Sequence, residues 1–370
     1  MSLPAVILVG GLGTRLRPLT DRTRKDMLPL VDRPQLAYTF EHLRRFGVPR
    51  AIVSCGYLPA QIQEHFGDRY GDLRLEYRVE HEPLGTGGAI RFAAEGIDEP
   101  FFALNGDSLR ETDLHAMVEF HRARRTSATI LLTPVEDPSR YGLVRVHPDG
   151  RVLTFLEKPR PEEIDTNLIN AGLYVLEPDV LDLIPPGRPV SIEREVFPQL
   201  VEQQAVCGVA LPGYWLDVGT PEAYLQAHRD VLERNFVTEL GDRLGDDYTL
   251  VSEEAEVSAE ARLVPPVFIG RGARISAGAR IGSLAVVGAG AVVGEGASVE
   301  SSVVGAGAVV GAGTNVSGSI VAERAELGSD CDVRSLAVVG PGARVGDGNM
   351  LDHGIRVAAG ETIAARALQF

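Results

Sequence analysis

From Ile269 to Leu351 an apolar residue returns at nearly every sixth position. The series runs Ile269, Ile275, Ile281, Val287, Val293 and Val299, restarts one residue short at Val304, Val310 and Val316, and restarts again at Val321, Leu327, Val333, Val339, Val345 and Leu351. Gly, Ala, Ser and Asn fill the corners between them. Hexapeptide periodicity is the signature of a parallel β-helix, in which three hexads close one triangular coil. Each coil buries its inward aliphatics on the next, giving a quasi-one-dimensional core. The hexads predict about five such coils. The repeat specifies an architecture and says little about activity.

The first two-thirds of the chain follow another rhythm. Ala5–Val9, Ala51–Cys55, Leu73–Val79 and Phe101–Leu104 are short apolar runs of strand length. Between them, Pro34–Phe46 reads as a helix with proline near its start and Gly47 after it, and Pro59–Phe66 as a short helix closed by Gly67. Strand–helix–strand alternation predicts an α/β fold, a largely parallel sheet with helices on both faces. Thr220-Pro221 opens a further helix reaching to about Arg234 by the N-cap and N1 rules. Residues 236–255 are polar and acidic and read as a linker. The expected domains are therefore 1–235, a connection over 236–255, and the repeat region 256–370; 370 residues suffice for two domains.

The first strand ends abruptly in Gly10-Gly11-Leu12-Gly13-Thr14, followed by Arg15-Leu16-Arg17-Pro18. A strand that empties into a glycine-rich turn suits phosphate, because glycine lets backbone N–H groups approach an anion. Arg15 adds a planar fork of donors, and Arg22, Arg24 and Lys25 follow within the same loop. A dinucleotide-binding turn would need a third glycine where Leu16 stands, and a nucleotide P-loop needs a Gly-Lys-Ser/Thr that the chain lacks. The net charge of −15 argues against nucleic acid or an anionic membrane as a general partner. Anionic small substrates therefore need a local basic pocket, which this loop supplies. Of the 36 basic residues only Lys25 and Lys158 are lysine. Both lie in segments that look built to handle phosphate, where a compact ammonium differs from a guanidinium.

Gly85-Thr86-Gly87-Gly88 precedes an alanine-rich helix. Such a loop either lets a flat base approach the backbone or simply packs a helix start tightly. Asn105-Gly106-Asp107-Ser108 lies at the carboxyl end of a buried strand, where open α/β sheets bind ligands, so Asp107 is positioned to hold Mg²⁺. An aspartate there can equally be a turn residue. Asp217, within Tyr214–Thr220, is its candidate partner. Glu157 can accept hydrogen bonds from sugar hydroxyls, Lys158 can hold a phosphate, and Asn170 can both donate and accept. Gly142 and Gly172 would let a sugar ring near the backbone, or merely form turns. Ser191, ahead of Glu193 and Glu195, reads as a structural helix cap. Cys55, Cys207 and Cys331 are scattered and odd in number, so they form neither a disulfide framework nor a metal motif. No signal peptide or membrane span is visible, and the cytoplasm is the expected compartment.

GGLGTRLRPLT followed by KDMLPLVDRP resembles the signature of the sugar-1-phosphate nucleotidyltransferases, and the later motifs extend the likeness over nearly the whole chain. The resemblance implies a Rossmann-like, mostly parallel nucleotidyltransferase domain followed by a left-handed parallel β-helix. It implies transfer of a nucleotidyl group from a nucleoside triphosphate to a sugar 1-phosphate, with release of pyrophosphate. Val9, Gly10, Gly11, Gly13, Thr14, Arg15, Leu84, Gly85, Thr86 and Gly106 would then bind the nucleotide, and Gly142, Glu157, Lys158, Asn170 and Gly172 the sugar phosphate. Arg15, Lys25, Asp107, Lys158 and Asp217 would carry catalysis, with Asp107 and Asp217 as the Mg²⁺ pair. Val9 and SIEREVFPQL resemble the mannose-1-phosphate guanylyltransferase branch more than the thymidylyltransferases, so GTP and mannose 1-phosphate are the expected substrates. A glucose-1-phosphate thymidylyl-, uridylyl- or adenylyltransferase is the alternative within the class. Asp26 departs from the family, which usually has proline there, and sets a carboxylate beside the phosphate path. That departure keeps a non-catalytic nucleotide-sugar sensor open as a reading. Many hexapeptide β-helices are acyltransferases, but such chemistry usually needs a histidine base and a protruding loop. Here His353 is the one histidine among the repeats, and no long insertion interrupts them. A structural β-helix, and with it a homo-oligomer, is expected instead.

Overall fold

The computed structural model describes residues 3–56 and 59–369. The chain divides into two compact units, Met1–Gly11 with Tyr38–Trp215, and Leu12–Ala37 with Leu216–Phe370. The division runs through the glycine-rich turn. Gly10 and Gly11 belong to the first unit, while Gly13 to Lys25 belong to the second.

The first unit is built on a ten-stranded mixed sheet. At its centre Phe101–Asn105, Ala5–Val9, Arg50–Cys55 and Leu73–Val79 run parallel in that spatial order. These are the predicted strands, and Ala5, Val6 and Ile7 are fully buried, as strands covered on both faces require. The parallel expectation holds for this centre. Leu168–Leu176 joins Phe101–Asn105 antiparallel, and the hairpin Gly142–Val146/Val152–Glu157 continues that flank. The hairpin's connection is short, and short connections produce antiparallel neighbours. Beside these strands, Gly213–Asp217 pairs with Ser108–Thr112 in a separate two-stranded sheet.

In the second unit three parallel sheets of seven, seven and six strands stack into the β-helix. All fifteen hexad positions from Ile269 to Leu351 join one buried cluster. The stack is taller than about five coils. Val251, Val257 and Leu263 pack against its start and Ile363 against its end, all in step with the same six-residue period. The early positions escaped notice because Glu253, Glu254, Glu256 and Glu260 surround them. Acidic residues are tolerated there because they point outward from a coil. The stretch 236–255 thus carries the helix Glu239–Arg243 and the first β-helix strand, Thr249–Val251. The predicted helix after Thr220 spans Pro221–Leu232, and the Thr220 hydroxyl accepts from the Ala223 amide at 3.3 Å. Among the described residues no helix is long and apolar enough to cross a membrane.

Candidate active site

The signature loop of the second unit is folded around Gly13. Its φ of +61° is the left-handed region that favours glycine. A Cβ there would come within 3.0 Å of both Lys25 Cβ and Thr20 Cγ2. The Thr20 hydroxyl donates to the Gly13 carbonyl at 2.8 Å, and one 3-10 turn, Thr14–Leu16, follows. Leu16 is fully buried and anchors the turn, leaving the Arg15 side chain 58% exposed. Arg15 Nη2 lies 3.5 Å from Asp217 Oδ2, and Lys25 Nζ lies 3.3 Å from Asp217 Oδ1. The structure therefore brings Gly13, Thr14, Arg15, Lys25 and Asp217 together. Gly219 belongs with them and was missed by sequence reasoning. A Cβ on Gly219 would sit 2.5 Å from Arg15 Nη2 and 3.0 Å from Asp217 Oδ2, so only glycine leaves room for the pair.

Asp26 is not a free carboxylate. Arg24 grips it with two parallel bonds, Nε to Oδ1 at 2.9 Å and Nη2 to Oδ2 at 2.8 Å, and both side chains are buried. The bidentate guanidinium neutralises the charge that proline would not have brought.

In the first unit the parallel register of Leu8 with Asn105 sets Gly10–Gly11 and Gly106–Asp107 at neighbouring strand ends. Val9 is buried beneath them, and a Cβ on Gly106 would meet its Cγ1 at 2.6 Å. Gly10 and Gly11 face open space. Arg110, unnoticed in the sequence, is buried under this turn. It donates to the Asn105 carbonyl at 2.8 Å and the Ser108 hydroxyl at 2.6 Å. Burial lowers its pKa to about 10, while the negative charge of Asp107 acts in the opposite direction. An arginine five residues past a strand end gave no signal that it would turn back beneath that end.

The Leu84–Gly88 segment is knitted to Arg188–Ile192. The Gly87 and Gly88 amides both donate to the Val190 carbonyl, at 2.8 and 3.3 Å, and a Cβ on Gly85 would lie 2.6 Å from the same oxygen. These glycines let the helix Gly85–Ala93 start in close contact with the Val190 backbone. The Thr86 hydroxyl donates to Glu193 at 2.6 Å and accepts from the Ile192 amide at 3.0 Å. Glu193 thus ties the loop to the Ser191 cap. Sequence reasoning assigned it only the cap, because the contact with Thr86 is 107 residues distant.

Glu157 stands opposite Gly142 across the hairpin, and a Cβ on Gly142 would meet Glu157 Oε2 at 3.0 Å. Burial, reinforced by Glu193, raises the Glu157 pKa, and Lys158 opposes that rise. Lys158 is exposed and left-handed, with φ +55°, its amide bonded to the Tyr141 carbonyl at 3.1 Å. Holding a lysine there costs about 1–3 kcal/mol, strain of the kind that gathers at functional sites. Asn170 bonds inward, Nδ2 to the buried Tyr174 hydroxyl at 2.8 Å and Oδ1 from the Gly172 amide at 2.9 Å. Each group keeps further capacity for a ligand. Gly172 has φ +66°, and a Cβ on it would touch Asn105 Nδ2 at 2.6 Å. In the first unit hydrogen bonds thus tie Thr86 to Glu193 and Gly172 to Asn170, and Gly172 packs against Asn105 at the end of the strand that leads to Asp107.

Residues 4–234 match the family described as Nucleotidyl transferase. The chain belongs to the nucleotidyl transferase family. Residues 263–366 match the GMPPB C-terminal domain, so the β-helix too has a named counterpart. Mannose-1-phosphate guanylyltransferase of Mycobacterium tuberculosis is 40% identical over 275 residues, covering 73% of this chain and 76% of the relative. Mannose-1-phosphate guanylyltransferase 1 of Arabidopsis thaliana is 35% identical over 293 residues, covering 74% and 80%. Among solved structures, HddC from Yersinia pseudotuberculosis complexed with GMP-PN is 30% identical with a TM-score of 0.53, covering 61% of this chain and 98% of that one. A UDP-glucose pyrophosphorylase at 23% identity and a TM-score of 0.56, covering 63% and 100%, shares the fold.

Family members typically use a divalent metal. The acidic side chains fit such an ion if substrate phosphates complete its shell. No group of three or more His, Cys, Asp or Glu side chains forms a metal cage among the described residues. Asp217 is an oxygen donor that sits between the Arg15 and Lys25 cations, and Mg²⁺ takes one or two carboxylates together with phosphate oxygens and water.

Proposed function

We propose that this protein transfers a guanylyl group from GTP to mannose 1-phosphate, giving GDP-mannose and pyrophosphate. The observation that carries the reading is that mannose-1-phosphate guanylyltransferases match 73% and 74% of the chain at 40% and 35% identity, while residues 4–234 match the nucleotidyl transferase family and residues 263–366 the GMPPB C-terminal domain. A catalytic domain over 1–235 and a β-helix domain over 256–370 accord with those matches. The connection over 236–255 supplies the first β-helix strand.

In the proposed reaction a phosphate oxygen of mannose 1-phosphate attacks the α-phosphorus of GTP. A new P–O bond forms there as the bond from the α-phosphorus to the α,β-bridging oxygen breaks, and the electron pair leaves with pyrophosphate. The nucleophile is already ionised at neutral pH, so no general base is required. The obstacle is repulsion between two polyanions. Arg15 and Lys25 carry fixed positive charge to the triphosphate, and Lys158 carries it to the sugar phosphate, stabilising charge in the transition state. Gly10 and Gly11 leave space for the nucleotide, and Glu157 and Asn170 orient the sugar. Orientation of this kind contributes roughly 7–11 kcal/mol in well-aligned systems. Asp107 and Asp217 are the carboxylates proposed to hold Mg²⁺, which when bound neutralises phosphate charge. A homo-oligomer in the cytoplasm completes the proposal, and light scattering on the purified chain reports its subunit count.

The test pairs GTP, ATP, UTP or dTTP with mannose 1-phosphate or glucose 1-phosphate and follows pyrophosphate release. The highest kcat/KM is expected for GTP with mannose 1-phosphate. A higher value for any other pair contradicts the substrate assignment.

A further inference from the structure

We propose that Arg356, on an outer face of the β-helix, is a positioning residue for the signature loop. The functional meaning rests on the nucleotidyl-transfer reading of that loop. Arg356 Nη1 donates to the Arg15 carbonyl at 3.0 Å and to the Arg17 carbonyl at 2.9 Å. The 3-10 turn Thr14–Leu16 cannot satisfy the Arg15 carbonyl itself. The residue three positions on is Pro18, which has no N–H to give. The open carbonyl is instead met from 341 residues away in sequence. The same β-helix turn stays close afterwards, since a Cβ on Gly360 would lie 3.4 Å from Arg22 Nη2.

Other arginines on the β-helix surface behave differently. Arg274, Arg344 and Arg280 each pair with a glutamate of a neighbouring coil, Glu256, Glu326 and Glu300. Arg356 instead ends a row whose other members are apolar. Along one sheet the in-register outward positions are Leu250, Phe268, Val286, Val303, Ile320, Val338 and then Arg356. Phe268 to Val338 are buried even though they point away from the β-helix core. This is a packed face with a guanidinium at its end, and the guanidinium holds the peptide that carries Arg15. Fixing that peptide fixes the base of the side chain that reaches Asp217. The β-helix thereby acts on the chemistry through the backbone of the loop, without touching substrate.

The experiment compares the full chain with Arg356→Ala, Arg356→Lys and, as a surface control, Arg344→Ala. It reads amide hydrogen exchange across residues 12–19, Tm, and kcat and KM with GTP and mannose 1-phosphate. Arg356→Ala is expected to speed exchange in that segment and lower kcat about tenfold, with KM for mannose 1-phosphate little changed. Arg356→Lys should recover part of both, and Arg344→Ala should alter neither. Unchanged exchange over 12–19 in Arg356→Ala overturns the proposal, as does a fall in Tm with exchange raised evenly along the β-helix. If the wild-type chain turns over no substrate pair, the functional reading fails, while the exchange result still decides whether Arg356 holds the loop.

Discussion

In the β-helix, Val287 stacks on Val304, Val304 on Val321 and Val321 on Val339, and each contact resembles the one before. In the mixed sheet no contact repeats. Asn105 touches Gly172, Glu157 faces Gly142, and Thr86 bonds Glu193, each pair occurring once. A repeated contact can weaken in one place without changing what the others do. A unique contact cannot be replaced by a neighbour. The β-helix core should therefore tolerate damage in activity but not in stability, and the site residues the reverse. The exception lies in the second unit, which contains the β-helix together with Arg15, Lys25 and Asp217.

Among substitutions of the cations, Lys25→Ala should give the largest effect. Removing a nearly buried cation beside Asp217 is expected to lower kcat on the order of 10²–10³-fold, the usual loss for one preorganised charge-stabilising group. Circular dichroism should stay unchanged, and a kcat near wild type would erase the distinction between the loop and the rest of its unit. Ile281→Ala, at a fully buried stacking position, should cost about 2–5 kcal/mol in chemical denaturation while leaving kcat/KM of the folded protein intact. A comparable loss of kcat/KM would mean that the repeats are not passive.

Lys158→Ala should come next, raising KM for the sugar phosphate roughly tenfold to a hundredfold, the worth of one charge-assisted bond of about 1.5–3 kcal/mol. KM for GTP should hardly move, and an equal rise in both would refute its assignment to the sugar side. The smallest effect concerns acid. Burial lowers the pKa of His42, in the first unit, to about 3, with Arg45 and Arg110 adding to the shift, and lowers that of His228, in the second, to about 3. Between that value and the ordinary 6.5 the unfolded chain binds protons that the folded chain does not. Stability is thus fully present above the unfolded pKa and falls as pH drops towards 3, by about 1.4 kcal/mol per pH unit for each histidine. Replacing either with Gln should flatten the stability–pH slope by about that amount, and an unaltered slope would contradict the burial argument.

How far each region could be read from its residues follows from the same contrast. The β-helix states its constraint many times over, so the period was visible even where the phase slipped at Val304 and Val321. The series was lost at its start, where glutamates crowd Val251 and Val257, and at its end, where Val357 and Ile363 continue the same period. Strand and helix positions in the sheet were legible because local patterning determines them, as the Thr220 cap illustrates. Gly219, Arg110 and Glu193 were not, because each is needed by a partner far away in sequence. The Asp26 carboxylate looked disruptive until Arg24 was found holding it, two residues away but with nothing in the spacing to mark the pair. The partnership of Arg356 with the Arg15 carbonyl was equally silent, since a missing proline N–H says that a donor is needed and not where it comes from.

The central claim is that the carboxylate between Arg15 and Lys25 takes part in the chemistry. Turnover of GTP and mannose 1-phosphate by Asp217→Ala tests it most directly. We expect pyrophosphate release to vanish while Tm and circular dichroism match the wild type. Release at the wild-type rate would contradict the account.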